Sequence, residues 1–253
     1  MKLRFIADDY GESPTTNAAI AAVCQAGVVV SSTVLAAEEC VYSKDHLANI
    51  NGTSWGAHFY LTEYVPLTDA VRRYYLQCRP LAKRNILAGL ATGRLSRNAL
   101  FLEFEAQLVR LMEYGFPVSF IDTHQNIHGI PPVYRIVKAV AEKYGLSSAI
   151  RPIHQLNFSL KYDLKQFVSG LCSRYLCLAS DRRVLVGCPC YHEKELNLGV
   201  TLAAWNAMLS GISQTSIAEL YVPCHPGISP AEMELYSSGE FAGLLHNYNI
   251  QVV

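Results

Sequence analysis

The sequence predicts an α/β protein, a (β/α) barrel or a variant of one, built as a single domain with its active site at the carboxyl ends of the strands. Three observations lead there. Short apolar or β-branched runs alternate roughly eight times with segments of helical periodicity. Hydrophobic residues make up 51% of the 253 positions, which suits a parallel sheet buried on both faces. Several strand candidates end directly in Asp, His or Arg, where α/β proteins keep their ligands.

The first strand is the apolar run Leu3 to Ala7. It stops at two adjacent carboxylates, Asp8 and Asp9, and Tyr10-Gly11 with Ser13-Pro14 then supplies a turn and a helix start. The pair has two readings: one Asp caps the helix while the other is solvated, or the strand end is a site that wants positive charge. Asn17 to Gly27 has helical spacing and a terminal Gly. Val28 to Leu35 is a second strand by its β-branched content, Glu38 to Ile50 a helix, and Ser54 to His58 a third strand ending in a histidine. Residues 61–97 are irregular, with Pro66, Pro80 and several Arg and Lys, and read as an excursion over the strand ends, a lid or substrate wall. Its Arg72, Arg73, Arg79, Lys83 and Arg84 either meet an anionic group or form a solvated face.

Ala99 to Tyr114 is an amphipathic helix with Leu100, Phe104, Leu108 and Leu111 on one side. Strand Val118 to Asp122 opens onto Thr123-His124-Gln125-Asn126-Ile127-His128-Gly129. Helix Val133 to Tyr144 and strand Ser148 to Arg151 follow. Helical spacing returns at Leu164 to Leu178 and Thr201 to Ile212, strands are expected at Arg183 to Cys188 and Glu219 to Pro223, and a helix near Phe241 to His246 precedes a last strand, Ile250 to Val253.

Composition narrows the partners. The 21 basic and 21 acidic residues cancel, and no basic stripe interleaved with aromatics is present, so a nucleic-acid partner is not expected. No run of 18 apolar residues suggests a transmembrane segment. The opening residues lack a signal-peptide pattern, because carboxylates arrive at position 8. Eight cysteines in such a chain read as reduced, and a cytoplasmic location is the expectation. Cys188-Pro189-Cys190 with His192 is a weak soft-metal pattern, since no second pair accompanies it.

Asp8 and Asp9, His58, His124, Arg151 and His225 thus stand at five strand ends. Singly, each has a structural explanation, a core histidine or an ion pair; together they converge on one end of the sheet. Imidazole with carboxylate suits a divalent metal, a neighbouring carboxylate can serve as general base, and a histidine across the site can protonate a leaving group. This is equipment for metal-assisted hydrolysis of a bond that the residues alone do not identify.

Four stretches add to that reading. Ala7-Asp8-Asp9-Tyr10-Gly11 with Ser13-Pro14 and Asn17, Gly56-Ala57-His58 with Leu61-Thr62, Asp122-Thr123-His124-Gln125-Asn126-Ile127-His128 with Pro131, and Cys224-His225-Pro226-Gly227 resemble the motif series of the YdjC-like carbohydrate deacetylases. They occur in family order from residue 7 to residue 227, and Val30-Ser31-Ser32-Thr33 is similar to the family's second strand. The resemblance implies a barrel variant, a hydrolase that removes N-acetyl groups from amino-sugar substrates with one divalent metal ion, zinc or magnesium, and a homodimer. Carried over by position, it implies Asp9, His58 and His124 as metal ligands, Asp8 as general base, His225 as general acid, and Arg151 near the carbohydrate or the base. Asn126 stands where the family often has a further histidine, so His128 is either an additional ligand or a substrate contact. Tyr60, Tyr74, Tyr75 and Trp55 are candidates for stacking on sugar rings, or else core residues. Residues 67–95 and 153–181 carry no family motif. Rival readings are another metal-dependent amidohydrolase, a phosphohydrolase, or a carbohydrate-binding module with a vestigial site; a glycosidase would need two separated carboxylates that adjacent Asp8 and Asp9 do not provide.

Overall fold

A computed structural model describes residues 2–42, 50, 52–79, 81–146, 150–151, 155–156, 183–186, 201–212 and 219–253. The chain forms two compact units: residues 1–32, 41–54 and 152–253, and residues 33–40 and 55–151. Each is α/β, and the strand pairings described within each are parallel.

In the first unit, β1 (Lys2–Tyr10) runs three residues further than its apolar stretch, so both carboxylates belong to the strand. It pairs with β7 (Glu219–Cys224) from Lys2↔Glu219 to Ala7↔Cys224, and near its start with β8 (Gln251–Val252). Next to β7 come β6 (Arg183–Val186) and β5 (Gln155–Leu156). Helix α1 (Pro14–Gln25) begins where the sequence signals it: the Ser13 hydroxyl accepts from Thr16 N and Pro14 occupies the first turn. Phe5 of β1 anchors an aromatic core. Trp205 of α6 (Leu202–Ile212), Tyr236 of α7 (Pro230–Tyr236) and Phe241 of α8 (Gly239–Asn247) lie 5.2–5.7 Å from its ring centroid. Tilted and edge-on pairs of this kind add about 1 kcal/mol each beyond the area they bury. Helix α7 is absent from the sequence reading, being only seven residues long.

Strand β2 (Ser31–Val34) carries the chain toward the second unit. There β3 (Ser54–Phe59) pairs with β4 (Val118–Thr123), and Ile121 bridges Ile150. Gly56 is required on β3, because a Cβ there would sit 2.3 Å from the Phe120 ring. The expected excursion is largely helical: α2 (Asp69–Gln77) and α3 (Lys83–Ala91) occupy it. Tyr74 Oη donates to the Asn85 carbonyl at 2.6 Å and Tyr75 Oη to the Glu63 carbonyl at 3.2 Å, and both rings are buried. Arg72 pairs with Glu38 and donates to the Pro66 carbonyl, while Arg79 lies over the Tyr75 ring. Helix α4 (Arg97–Glu113) buries Leu100, Phe104, Leu108 and Leu111 as its spacing predicts, and also buries Glu103 and Gln107. Helix α5 (Pro131–Lys143) follows the His124–Gly129 turn.

Glu38 and Glu39 form a turn, and residues 43–49 of the helix expected there lie outside the described residues. So do the helix at 164–178 and the Cys188, Cys190 and His192 pattern. Of the described cysteines, Cys24, Cys40, Cys78 and Cys224 are free thiols. Burial pushes the Cys24 thiol up to about 12, against a weaker opposing bond from Thr53. Among the described residues no helix is long and apolar enough to cross a membrane.

Candidate active site

The parallel register decides which functional side chains meet in the first unit. Ala7 lies opposite Cys224, so the next residues, Asp8 and His225, face each other, with His225 Nε2 3.9 Å from Asp8 Oδ2. Asp8 and Asp9 are both buried. Asp9 adopts φ 71°, a left-handed conformation that residues other than glycine rarely take, one residue before β1 ends at Tyr10. The turn beyond it is held by Asn17, whose Oδ1 accepts from Gly11 N and whose Nδ2 donates to the Val41 carbonyl, both at 2.7 Å.

His225 is held from the other side by α7. Ser229 caps that helix, accepting from Glu232 N, and the Glu232 carboxylate reaches back to accept from His225 N at 2.5 Å. Burial raises the Glu232 pKa, and the bond from His225 opposes the shift. Gly227 lets the His225-Pro226-Gly227 turn approach α1, since a Cβ there would lie 2.7 Å from the Thr16 Cα.

In the second unit the β3–β4 register places His58 opposite Asp122. His58 Nδ1 is 3.2 Å from Asp122 Oδ2, and Arg151 Nη2 is 2.7 Å from the same oxygen. Arg151 is fixed by its backbone, which donates to the Ile121 carbonyl, and by a bond to Asn126 Oδ1 at 3.1 Å. Burial alone would raise the Asp122 pKa, but Arg151 and then His58 outweigh it and hold the carboxyl at about 2. Arg151 therefore carries out an ion-pairing role in β4's neighbourhood, buried with its acid.

His124 opens a turn in which Gln125 and Asn126 are left-handed, at φ 55° and 52°. Its Nε2 is 2.7 Å from Glu63 Oε2, and its ring stands edge-on to those of His58 and Tyr64. His128 is completely buried, its Nδ1 against the Thr123 hydroxyl and its backbone N donating to the same oxygen. Burial pushes its pKa down to about 4; Asp122 opposes this and Arg151 adds to it. Tyr60 is likewise wholly buried, donating from Oη to the Val65 carbonyl, and Trp55 packs edge-on against Phe116. Both rings are packed among buried neighbours.

The structure thus brings Asp8 to His225, and His58 to Asp122 and Arg151. Sequence reading overlooked Asp122, Glu63 and Glu232 as site residues. The first two adjoin quoted motifs, Asp122 opening the one that contains His124 and Glu63 following Leu61-Thr62. Glu232 had no such signal.

The family described as YdjC-like protein matches residues 2–248. A chitooligosaccharide deacetylase of Escherichia fergusonii is 32% identical over 149 residues, 57% of this chain and 57% of that protein. Carbohydrate deacetylases of Geobacillus stearothermophilus and Listeria welshimeri are 34% and 35% identical over 58% of this chain, and 58% and 60% of theirs. The aligned part therefore spans under two thirds of each of these relatives. A crystal structure from Enterococcus faecalis V583, named for cellobiose-phosphate cleavage, has the same fold at a TM-score of 0.69 with 17% identity, covering 100% of this chain and 96% of that one.

Proposed function

The chain belongs to the YdjC-like protein family, and from that premise we propose that it is a metal-dependent carbohydrate deacetylase, a hydrolase that removes the N-acetyl group from an amino sugar or oligosaccharide. In this reading Asp9, His58 and His124 hold one divalent ion, Asp8 is the general base and His225 the general acid.

The observation that carries the reading is the donor set. Asp9, His58 and His124 each offer one ligand atom, a carboxylate oxygen and two imidazole nitrogens. That set suits zinc or another transition ion by ligand softness, and magnesium with several waters retained. His58 fits the role on its own evidence: Asp122 faces its Nδ1, leaving Nε2 as the ligand, and a carboxylate behind a ligand imidazole is a recurring support in metal sites. When bound, such an ion activates water and takes up charge on a polarised amide oxygen.

The chain's own residues move the protons. Asp8, buried beside His225, accepts a proton from the attacking water, and His225 delivers one to the departing amine. Glu232 keeps His225 in place by its backbone, and Asn17 keeps the turn after Asp9 closed. A single domain of barrel type, a homodimer and a cytoplasmic setting complete the proposal. Parallel pairing in each unit supports the first and free thiols the last, while the dimer rests on family resemblance.

The test separates ligand from base. Asp9→Ala and His58→Ala should abolish stoichiometric metal content. Asp8→Asn should retain the metal and lose turnover by roughly 10²–10⁴-fold. Unchanged metal in the first two variants, or full activity in the third, rejects the assignment.

A further inference from the structure

We infer that Glu63 is a positioning residue that fixes the tautomer of His124 and leaves its Nδ1 as the ligand nitrogen; the inference rests on His124 being an ion ligand, as proposed above. His124 Nε2 lies 2.7 Å from Glu63 Oε2. A carboxylate oxygen at that distance takes an N–H from the ring, which puts the ring proton on Nε2 and the lone pair on Nδ1. His58 is the complementary case, with Asp122 on Nδ1 and Nε2 left for the ion. The two imidazoles are thus presented through opposite ring nitrogens, each backed by a carboxylate.

Glu63 is placed for this by more than one contact. Its Oε1 accepts from the Gln125 side chain, so one carboxylate grips two successive residues of the turn. Glu63, Gln125 and Asn126 all have positive φ, at 69°, 55° and 52°. Left-handed backbone is unfavourable for a non-glycine residue, and strain concentrated at one contact points to a geometry that the surroundings impose. Those surroundings are the buried polar residues of α4. Gln107 clasps Tyr60 at both its N–H (3.0 Å) and its carbonyl (2.9 Å). Glu103 accepts from Leu67 N (2.9 Å), Thr68 N (2.7 Å), Thr68 Oγ1 (2.6 Å) and Gln107 Nε2 (2.8 Å). Both ends of the loop from Tyr60 to Thr68 are therefore bolted to one helix. Tyr75 Oη holds the Glu63 carbonyl from α2.

The Glu63 side chain is 57% exposed, and a solvent-exposed contact of this kind contributes little to folding stability. Its consequence should therefore be read in metal affinity rather than in folding.

The experiment is calorimetric titration of zinc into metal-stripped wild type, His124→Ala, Glu63→Gln and Glu63→Asn, with urea unfolding of each apo protein and ¹⁵N spectra of the labelled imidazoles. Asn tolerates a positive φ, so Glu63→Asn removes the carboxylate without adding backbone strain. The expected result is a 10–100-fold weaker zinc affinity in both Glu63 variants, an unfolding midpoint unchanged within error or raised in Glu63→Asn, and an Nε2–H tautomer for wild-type His124. Wild-type zinc affinity in both variants, affinity falling only in step with stability, or an Nδ1–H tautomer would overturn the inference. Zinc binding by His124→Ala as tight as wild type, or none by wild type, would instead remove the ligand assignment on which it stands.

Discussion

The two units position their functional side chains by different means. In the first, backbone does most of the work: register sets Asp8 against His225, Asn17 bonds two main-chain groups, and Glu232 holds His225 by its N–H. In the second, a buried charge network does it, with Asp122 between Arg151 and His58, and His128 neutral alongside. The difference implies that acid destabilises the second unit through its charge network, whereas the first should lose stability in hydrogen-bond-sized steps when its side chains are removed.

The largest effect is expected from Asp122→Asn, which leaves Arg151 buried without its counter-charge and should cost about 3–5 kcal/mol in urea unfolding. A loss below about 1 kcal/mol would show that the network is not what holds this unit.

Acid should produce the next largest change. In the unfolded chain His128 takes a proton near 6.5, but in the fold only near 4, so the unfolded state binds more protons between those values. The contribution is fully present above pH 6.5 and lost as pH falls toward 4, on the order of 3 kcal/mol. Asp122 adds a second loss, from its ordinary 3.8 down to about 2. Unfolding midpoints measured from pH 7 to 4 should therefore slope downward, and His128→Asn should flatten that limb; an equal slope in the variant contradicts the assignment.

In the first unit, Asn17→Ala deletes two hydrogen bonds to main chain, one buried and one part-buried, and should cost about 2 kcal/mol, or roughly 5 °C in melting temperature. A drop as large as that of Asp122→Asn would erase the contrast between the units. The smallest effect sharpens it: Asp9→Gly relieves a positive φ and should raise apo stability by up to about 1 kcal/mol while abolishing ion binding. Lower apo stability would mean that the carboxylate, not the backbone, is what the fold depends on there.

Much of this was legible in the sequence because it is local. Ser13-Pro14 announced α1, and the apolar stripe of α4 announced its buried side. Asp8, Asp9, His58, His124 and His225 stood out as polar residues at strand ends. What escaped is long-range or conformational. Nothing near Arg151 names Asp122 as its partner; β-pairing supplies that. Glu103 and Gln107 look like ordinary helix-surface residues until the loop from Tyr60 to Thr68 folds onto them. The same contacts explain why residues 61–97 looked irregular, since α2 and α3 depend on packing rather than on strong local signals. Tyr60 could be read as a sugar platform or as core, and its burial is not legible in the sequence.

The most direct measurement is acetate release from a panel of N-acetylated mono- and oligosaccharides, phosphorylated ones included, by chelator-stripped protein with zinc, magnesium, manganese or cobalt restored separately. The account predicts acetate only when a divalent ion is restored, and none from Asp8→Asn. Acetate released equally without metal, or no acetate from any substrate while the ion is demonstrably bound, would contradict it.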